Sequence, residues 1–151
     1  MVTGIKHMAI AVKDVGAALR RYQDVLGIGE ATHHEFEKAR ANEAHFKIGG
    51  VEYQLCQSWD VDGRFARYIA DHGDEGLHHI CYTTDNIEQE IASAVHNGAR
   101  LKACSSCKVM GPHKHSEGWV AFLEDKLSGL ETEFMQVYKP GEGPDTSGRT
   151  M

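Results

Sequence analysis

Four residues of this 151-residue chain have the types and spacing to hold a divalent transition metal: His7, Gln54, His79 and Glu133. Imidazole nitrogen, amide oxygen and carboxylate oxygen are ordinary ligands of such ions, and a set of this size leaves positions open for water or substrate. A metal held this way acts as a Lewis acid toward a carbonyl oxygen. One strand histidine taken alone is usually a satisfied core or surface group, and a lone carboxylate such as Glu133 is at home on a solvent-facing edge. The weight comes from repetition. The same residue type opens the same kind of segment twice, and an oxygen donor follows at a comparable distance, Gln54 after His7 and Glu133 after His79.

The chain that must position these residues reads as a repeat. Residues 7–14, H-M-A-I-A-V-K-D, and 79–86, H-I-C-Y-T-T-D-N, each open on histidine and continue as a short strand. Each stops at an Asp or Asn able to cap a helix. Val15, Ala18, Leu19, Tyr22 and Leu26 then fall on one helical face that Gly27 ends; Ile87, Ile91, Ala94 and Val95 do the same before Gly98. Asp85 and Glu88 have capping-box spacing. Strand-like runs follow in both copies: A-H-F-K-I and V-E-Y-Q-L-C around Gly49-Gly50, then G-W-V-A-F-L and L-E-T-E-F-M-Q-V around the turn E-D-K-L-S-G. Phe65, Tyr68 and Ile69 predict a short linking helix between the copies.

Alternation along a strand separates two faces. Met8, Ile10 and Val12 form a bulky apolar face in the first copy, as Ile80 and Tyr82 do in the second. His7, Ala9 and Ala11, and His79, Cys81 and Thr83, lie on the opposite faces, where small residues suggest a cavity wall. Gln54 shares a face with Glu52 and Cys56, and Glu133 with Glu131 and Met135. A carboxylate buried in mid-strand is costly without a partner, and a cation would remove that cost.

Apolar residues at 41%, charged residues at 25% and a net charge of −6 describe a soluble globular chain and exclude wholesale disorder. No basic block interleaved with aromatics points to nucleic acid, and no apolar run approaches a membrane span. The N-terminal residues lack the pattern of a signal peptide, so a cytoplasmic location is expected. Cys56 and Cys81 read as small apolar strand residues. Cys104 and Cys107 form a C-x-x-C without a second cysteine pair, which reads as reduced loop thiols. His113 and His115 in H-K-H read as a solvated loop.

These residues and motifs resemble the vicinal oxygen chelate superfamily, whose members include glyoxalase I, extradiol dioxygenases, fosfomycin-resistance proteins and methylmalonyl-CoA epimerases. The likeness runs from Ile5 to Tyr138. Within the superfamily the chain is most similar to the methylmalonyl-CoA epimerases, on F-A-R-Y-I-A-D-H-G-D-E-G-L-H-H-I-C-Y, on G-W-V-A-F-L-E-D-K-L-S-G-L-E-T-E-F and on Gln54. It departs from them at G-P-H-K-H-S-E-G-W-V, with Trp119 where a basic residue is common, and in the last hairpin.

The resemblance implies an α+β fold in which two paired βαβββ modules form a cupped mixed sheet around one metal. It implies a single domain over residues 1–140, with module one at 5–58, a linking helix at 59–72 and module two at 76–138. Residues 141–151 read as a flexible tail. It implies His7, Gln54, His79 and Glu133 as ligands of one divalent ion: cobalt, nickel, manganese or zinc. The implied activity is epimerisation by proton transfer alpha to the thioester carbonyl of an acyl-CoA substrate, in a homodimer. Glu133 serves as ligand and base together, and Glu43 as the second base, with Glu35 and Glu37 as alternatives. Arg64, Arg67, Lys102, Lys108 and Lys114 are the cations that could meet the coenzyme. A glyoxalase I-type lyase and a non-catalytic resistance protein are the other members of the superfamily to weigh.

Overall fold

A computed structural model describes residues 1–143, so residues 144–151 of the expected tail lie outside the described residues. The described elements run β1 (Val2–Ala11), α1 (Val15–Leu26), β2 (Thr32–Phe36), β3 (Ala41–Ile48), β4 (Val51–Ser58), α2 (Arg64–His72), β5 (Gly76–Thr84), α3 (Ile87–His96), β6 (Leu101–Lys102), β7 (His113–Lys114), β8 (Gly118–Leu127) and β9 (Leu130–Val137). The strands make mixed sheet in each half of the chain, in the order β2-β3-β4-β1 and in the order β5-β9-β8-β6 with β7 on β8. This is the α+β class expected. Among the described residues no helix is long and apolar enough to cross a membrane. The chain divides into two compact units, one spanning His7–His78 and the other made of Met1–Lys6 with the residues from His79 on.

In the His7–His78 unit, β1 pairs parallel with β4, β4 antiparallel with β3, and β3 antiparallel with β2. Gly49-Gly50 makes the β3–β4 turn, with Gly49 at a φ of 60° that few other residues adopt. Helix α1 starts where Asp14 accepts a 2.7 Å hydrogen bond from the Ala17 N–H and ends on left-handed Gly27. Its apolar stripe packs Leu19, Val15, Ala18 and Tyr22 onto Ile10, Val12, Ala44, Phe46 and Leu55. The opposite strand face carries Ala9, Ala11, Ala41 and Cys56, and here the structure corrects the sequence expectation. Part of the room left by these small residues is filled by Phe65, Tyr68 and Ile69 of α2.

In the other unit β5 pairs parallel with β9, β9 antiparallel with β8, and both β6 and β7 with β8. Helix α3 is capped by Asn86, whose side chain accepts from the Gln89 N–H at 3.1 Å. The cap therefore sits one residue beyond the Asp85–Glu88 box expected from spacing. Ile87 and Ile91 pack on Ala121, Leu123 and Phe134. The expected turn E-D-K-L-S-G is mostly strand. β8 continues to Leu127 through a register shift, and Ser128 (φ 54°) and Gly129 (φ 79°) make the turn.

One device starts both module helices. Gln57, at the end of β4, accepts from the Val15 N–H at 2.9 Å, and Gln136, near the end of β9, accepts from the Ile87 N–H at 2.9 Å. The first N–H groups of a helix have no internal partner, and here a glutamine on a neighbouring strand supplies one. Replacing Gln57 or Gln136 with Ala is expected to cost about 1 kcal/mol and lower the melting temperature by roughly 3 °C; thermal unfolding of both variants at the wild-type midpoint contradicts this. Leu55, fully buried in the α1-facing core, is expected to cost about 2–5 kcal/mol when cut to Ala. A shift in the urea midpoint checks it.

Candidate metal and proton-transfer site

The parallel register of β1 on β4 sets the first half of the site. His7 lies opposite Glu52, and Ala9 opposite Gln54. His7 and Gln54 are thus two residues apart along the pair and on one face. Both are buried. The Gln54 amide nitrogen donates to Glu52 Oε2 at 2.8 Å, which turns the amide oxygen away from Glu52 as the free donor atom. Glu43 on β3 shares this face, opposite Cys56, and His45 lies opposite Gln54. The two side chains meet at 2.6 Å, Glu43 Oε2 to His45 Nε2, and both are largely buried. The His34 ring lies 4.3 Å from the His45 ring. Glu35 and Glu37, the alternatives to Glu43, are exposed, and Glu35 lies opposite Asn42, on the other strand face.

The second unit repeats the arrangement residue for residue. His79 lies opposite Glu131, and Cys81 opposite Glu133. A histidine faces a glutamate, and the oxygen donor stands two positions further along the last strand, as with His7, Glu52 and Gln54. His79 Nε2 is 3.5 Å from Glu133 Oε2, with both side chains less than a tenth exposed. That separation suits two donors of one coordination sphere. Glu131 pairs with the Lys102 ammonium. His78 packs edge-on against the Phe65 and Tyr68 rings at 5.0 and 5.6 Å.

Electrostatics follow the same plan. Cys81 is pushed well above the usual thiol range by burial and then by the Glu133 charge. Cys56 is pushed up by burial and then by the Glu43 charge. Each unit therefore holds a neutral, buried thiol beside a carboxylate, consistent with the expected apolar role of both cysteines.

Sequence reasoning put Glu52 and Glu131 on the ligand faces without giving them a role. The signal was in E-Y-Q and E-T-E, where a glutamate stands two residues before each oxygen donor. It also missed the His45–Glu43 contact, which depends on the β3–β4 register. Of the basic residues singled out, Arg64 lies 4.9 Å over the Phe65 ring and Lys114 5.2 Å over Trp119, and Lys108 donates to the Ser105 carbonyl. Cys104 and the rings of His113 and His115 are not a solvated loop. Cys104 is buried, and both histidines are partly buried.

The chain and its fold have known relatives. The chain is 25% identical over 138 residues to the ethylmalonyl-CoA/methylmalonyl-CoA epimerase of Cereibacter sphaeroides, covering 91% of this chain and 100% of that protein. It is 25% identical over 125 residues to the mitochondrial methylmalonyl-CoA epimerase of Homo sapiens, covering 83% of this chain and 68% of that protein. A 26% identical stretch of 87 residues in the Bacillus subtilis protein YqjC spans 61% of that protein's length. The fold matches the crystal structure of methylmalonyl-CoA epimerase from Mycobacterium tuberculosis at a TM-score of 0.76 and 20% identity, covering 92% of this chain and 91% of that one. A methylmalonyl-CoA epimerase solved with methylmalonyl-CoA and NH4+ matches at a TM-score of 0.76 and 26% identity, covering 95% of this chain and 100% of that one. A family model for the glyoxalase/bleomycin resistance protein/dioxygenase superfamily matches residues 6–119. The chain belongs to that superfamily, the vicinal oxygen chelate proteins.

Proposed function

We propose that this protein is a metal-dependent epimerase acting on the carbon alpha to the thioester carbonyl of a methylmalonyl-CoA-type substrate. The observation that carries the reading is the shared register of the two half-sites: His7, Glu52 and Gln54 in one unit, His79, Glu131 and Glu133 in the other. The donor set fits a divalent ion. The imidazole of His79 and the carboxylate of Glu133 are already at a distance suited to common coordination, and Gln54 is oriented through its amide nitrogen by Glu52. In this reading His7 and Gln54 join His79 and Glu133 on one ion. The relatives named methylmalonyl-CoA epimerase supply the substrate class.

A divalent ion held by His7, Gln54, His79 and Glu133 would supply Lewis-acid stabilisation of negative charge developing next to the alpha carbon. The protein supplies two bases, because inversion needs a proton removed on one face and returned on the other. Glu133 takes one role. Glu43 takes the other, with His45 Nε2 at 2.6 Å as the partner that holds its carboxylate in place. Both carboxylates are largely buried, which limits return of the proton by bulk water.

The test is solvent-deuterium exchange at the alpha carbon of methylmalonyl-CoA, followed by NMR with metal-stripped and cobalt-loaded protein. Exchange is expected only with metal. Glu133→Gln is expected to lose about 100-fold or more. Glu43→Gln is expected to lose interconversion of the epimers while exchange of a single epimer persists, the signature of one missing base. Epimerisation by Glu43→Gln at the wild-type rate rules out its role. No exchange by loaded wild-type protein rejects the thioester substrate and makes a glutathione hemithioacetal the next one to try.

A further inference from the structure

The edge strand beside β8 is interrupted. Lys102 of β6 lies opposite Phe122, and His113 of β7 opposite Val120. Only Ala121 separates these two partners on β8, whereas the facing chain leaves after Lys102 and returns at His113. The excursion brings Cys104, Cys107 and His113 together, with the two sulfurs and a ring nitrogen all within 4.8 Å of one another. A tight turn holds them. The Cys104 N–H donates to the Val109 carbonyl at 2.9 Å, and the Lys108 N–H to the Cys104 carbonyl at 2.8 Å. The Cys107 N–H donates to the Cys104 sulfur at 3.4 Å.

The histidines are presented as ligands. His113 Nδ1 lies 2.9 Å from the Gly111 carbonyl, which fixes the proton on Nδ1 and leaves Nε2 as the lone-pair nitrogen. The Nε2 atoms of His113 and His115 are both buried without a hydrogen-bond partner. Buried polar atoms are nearly always satisfied, so the His113 nitrogen beside two thiols, and the His115 nitrogen two residues on, require an explanation. His115 is held through its backbone, its N–H on the Gly118 carbonyl at 2.8 Å and its carbonyl accepting from the Tyr138 hydroxyl at 2.7 Å.

We propose that Cys104, Cys107, His113 and His115 form a second metal site, for a zinc-class divalent cation, that ties the two ends of the interrupted edge strand together. Two thiolates and two imidazoles are a tetrahedral zinc set. A deprotonated sulfur is the form a metal binds. All four residues lie in one unit and share no ligand with the proposed epimerase site, so this site stands or falls independently of that reading.

The test is titration of the full-length, metal-stripped, reduced protein with Co2+, read by absorption. A thiolate-to-cobalt charge-transfer band is expected, saturating at one equivalent. The nitrogen and oxygen ligands of the other site cannot give it. The band is expected to be lost in Cys107→Ser and weakened at least tenfold in affinity in His113→Asn, and to persist in Glu133→Gln. Circular dichroism confirms that each variant is folded. Absence of the band in folded wild-type protein, or a band that Cys107→Ser and His113→Asn leave unchanged, overturns the proposal. So does a Cys104–Cys107 disulfide that forms in air and is not prevented by prior Zn2+ loading.

Discussion

The parallel pairing of the first and last strands in each module is the constraint on which the other features depend. It fixes which side chains share the face turned away from the module helix. In both modules that face receives a histidine, a glutamate opposite it and an oxygen donor two residues on. Slipping either pair by one residue would carry the donor to the helix side, among Leu55 and Tyr53 or among Phe134 and Ala121. Gln57 and Gln136 lock the register from the other end. Each can reach its helix N-terminus only when its strand is in place. Helix start, strand register and ligand position are therefore coupled in each module.

Burying polar groups on that face has consequences for their neighbours. His79 and Glu133, and His45 and Glu43, meet within ion-pair distance in places where water is largely excluded. An unpaired charge there would be expensive. The adjacent cysteines are kept neutral, so neither competes as a charged ligand. The loop holding Cys104 is built differently: its sulfur accepts from the Cys107 N–H at 3.4 Å and lies 3.3 Å from the Ser106 hydroxyl.

Much of the plan was legible in the residues because the repeat is written in local signals. The Asp14 cap, the Gly27 stop and the Gly49-Gly50 turn are short-range features, and the structure has them where the pattern places them; the histidines read as opening their strands lie inside β1 and β5 instead. Strand parity separated the apolar faces correctly. What was not legible depended on tertiary contact. The filling of the Ala9–Ala11 face by α2 depends on where a linking helix docks. The choice of Asn86 over Asp85 as cap depends on Gln136 fixing the first helical residue. The division of the edge strand into β6 and β7 has no periodicity to announce it, since each piece is two residues long. The C-x-x-C segment was read by counting cysteines alone. Its second ligand pair is made of histidines, which only the return of the chain at His113 brings near.

The central claim is that the two equivalent half-sites serve a single ion. Calorimetric titration of metal-stripped Cys107→Ser protein with Co2+ tests it most directly, because the sulfur-ligated site is then removed. The account predicts one ion per chain, with affinity lowered by His7→Ala and by His79→Ala alike, since each removes one of the four ligands of the same ion. Undiminished uptake in His7→Ala would contradict it.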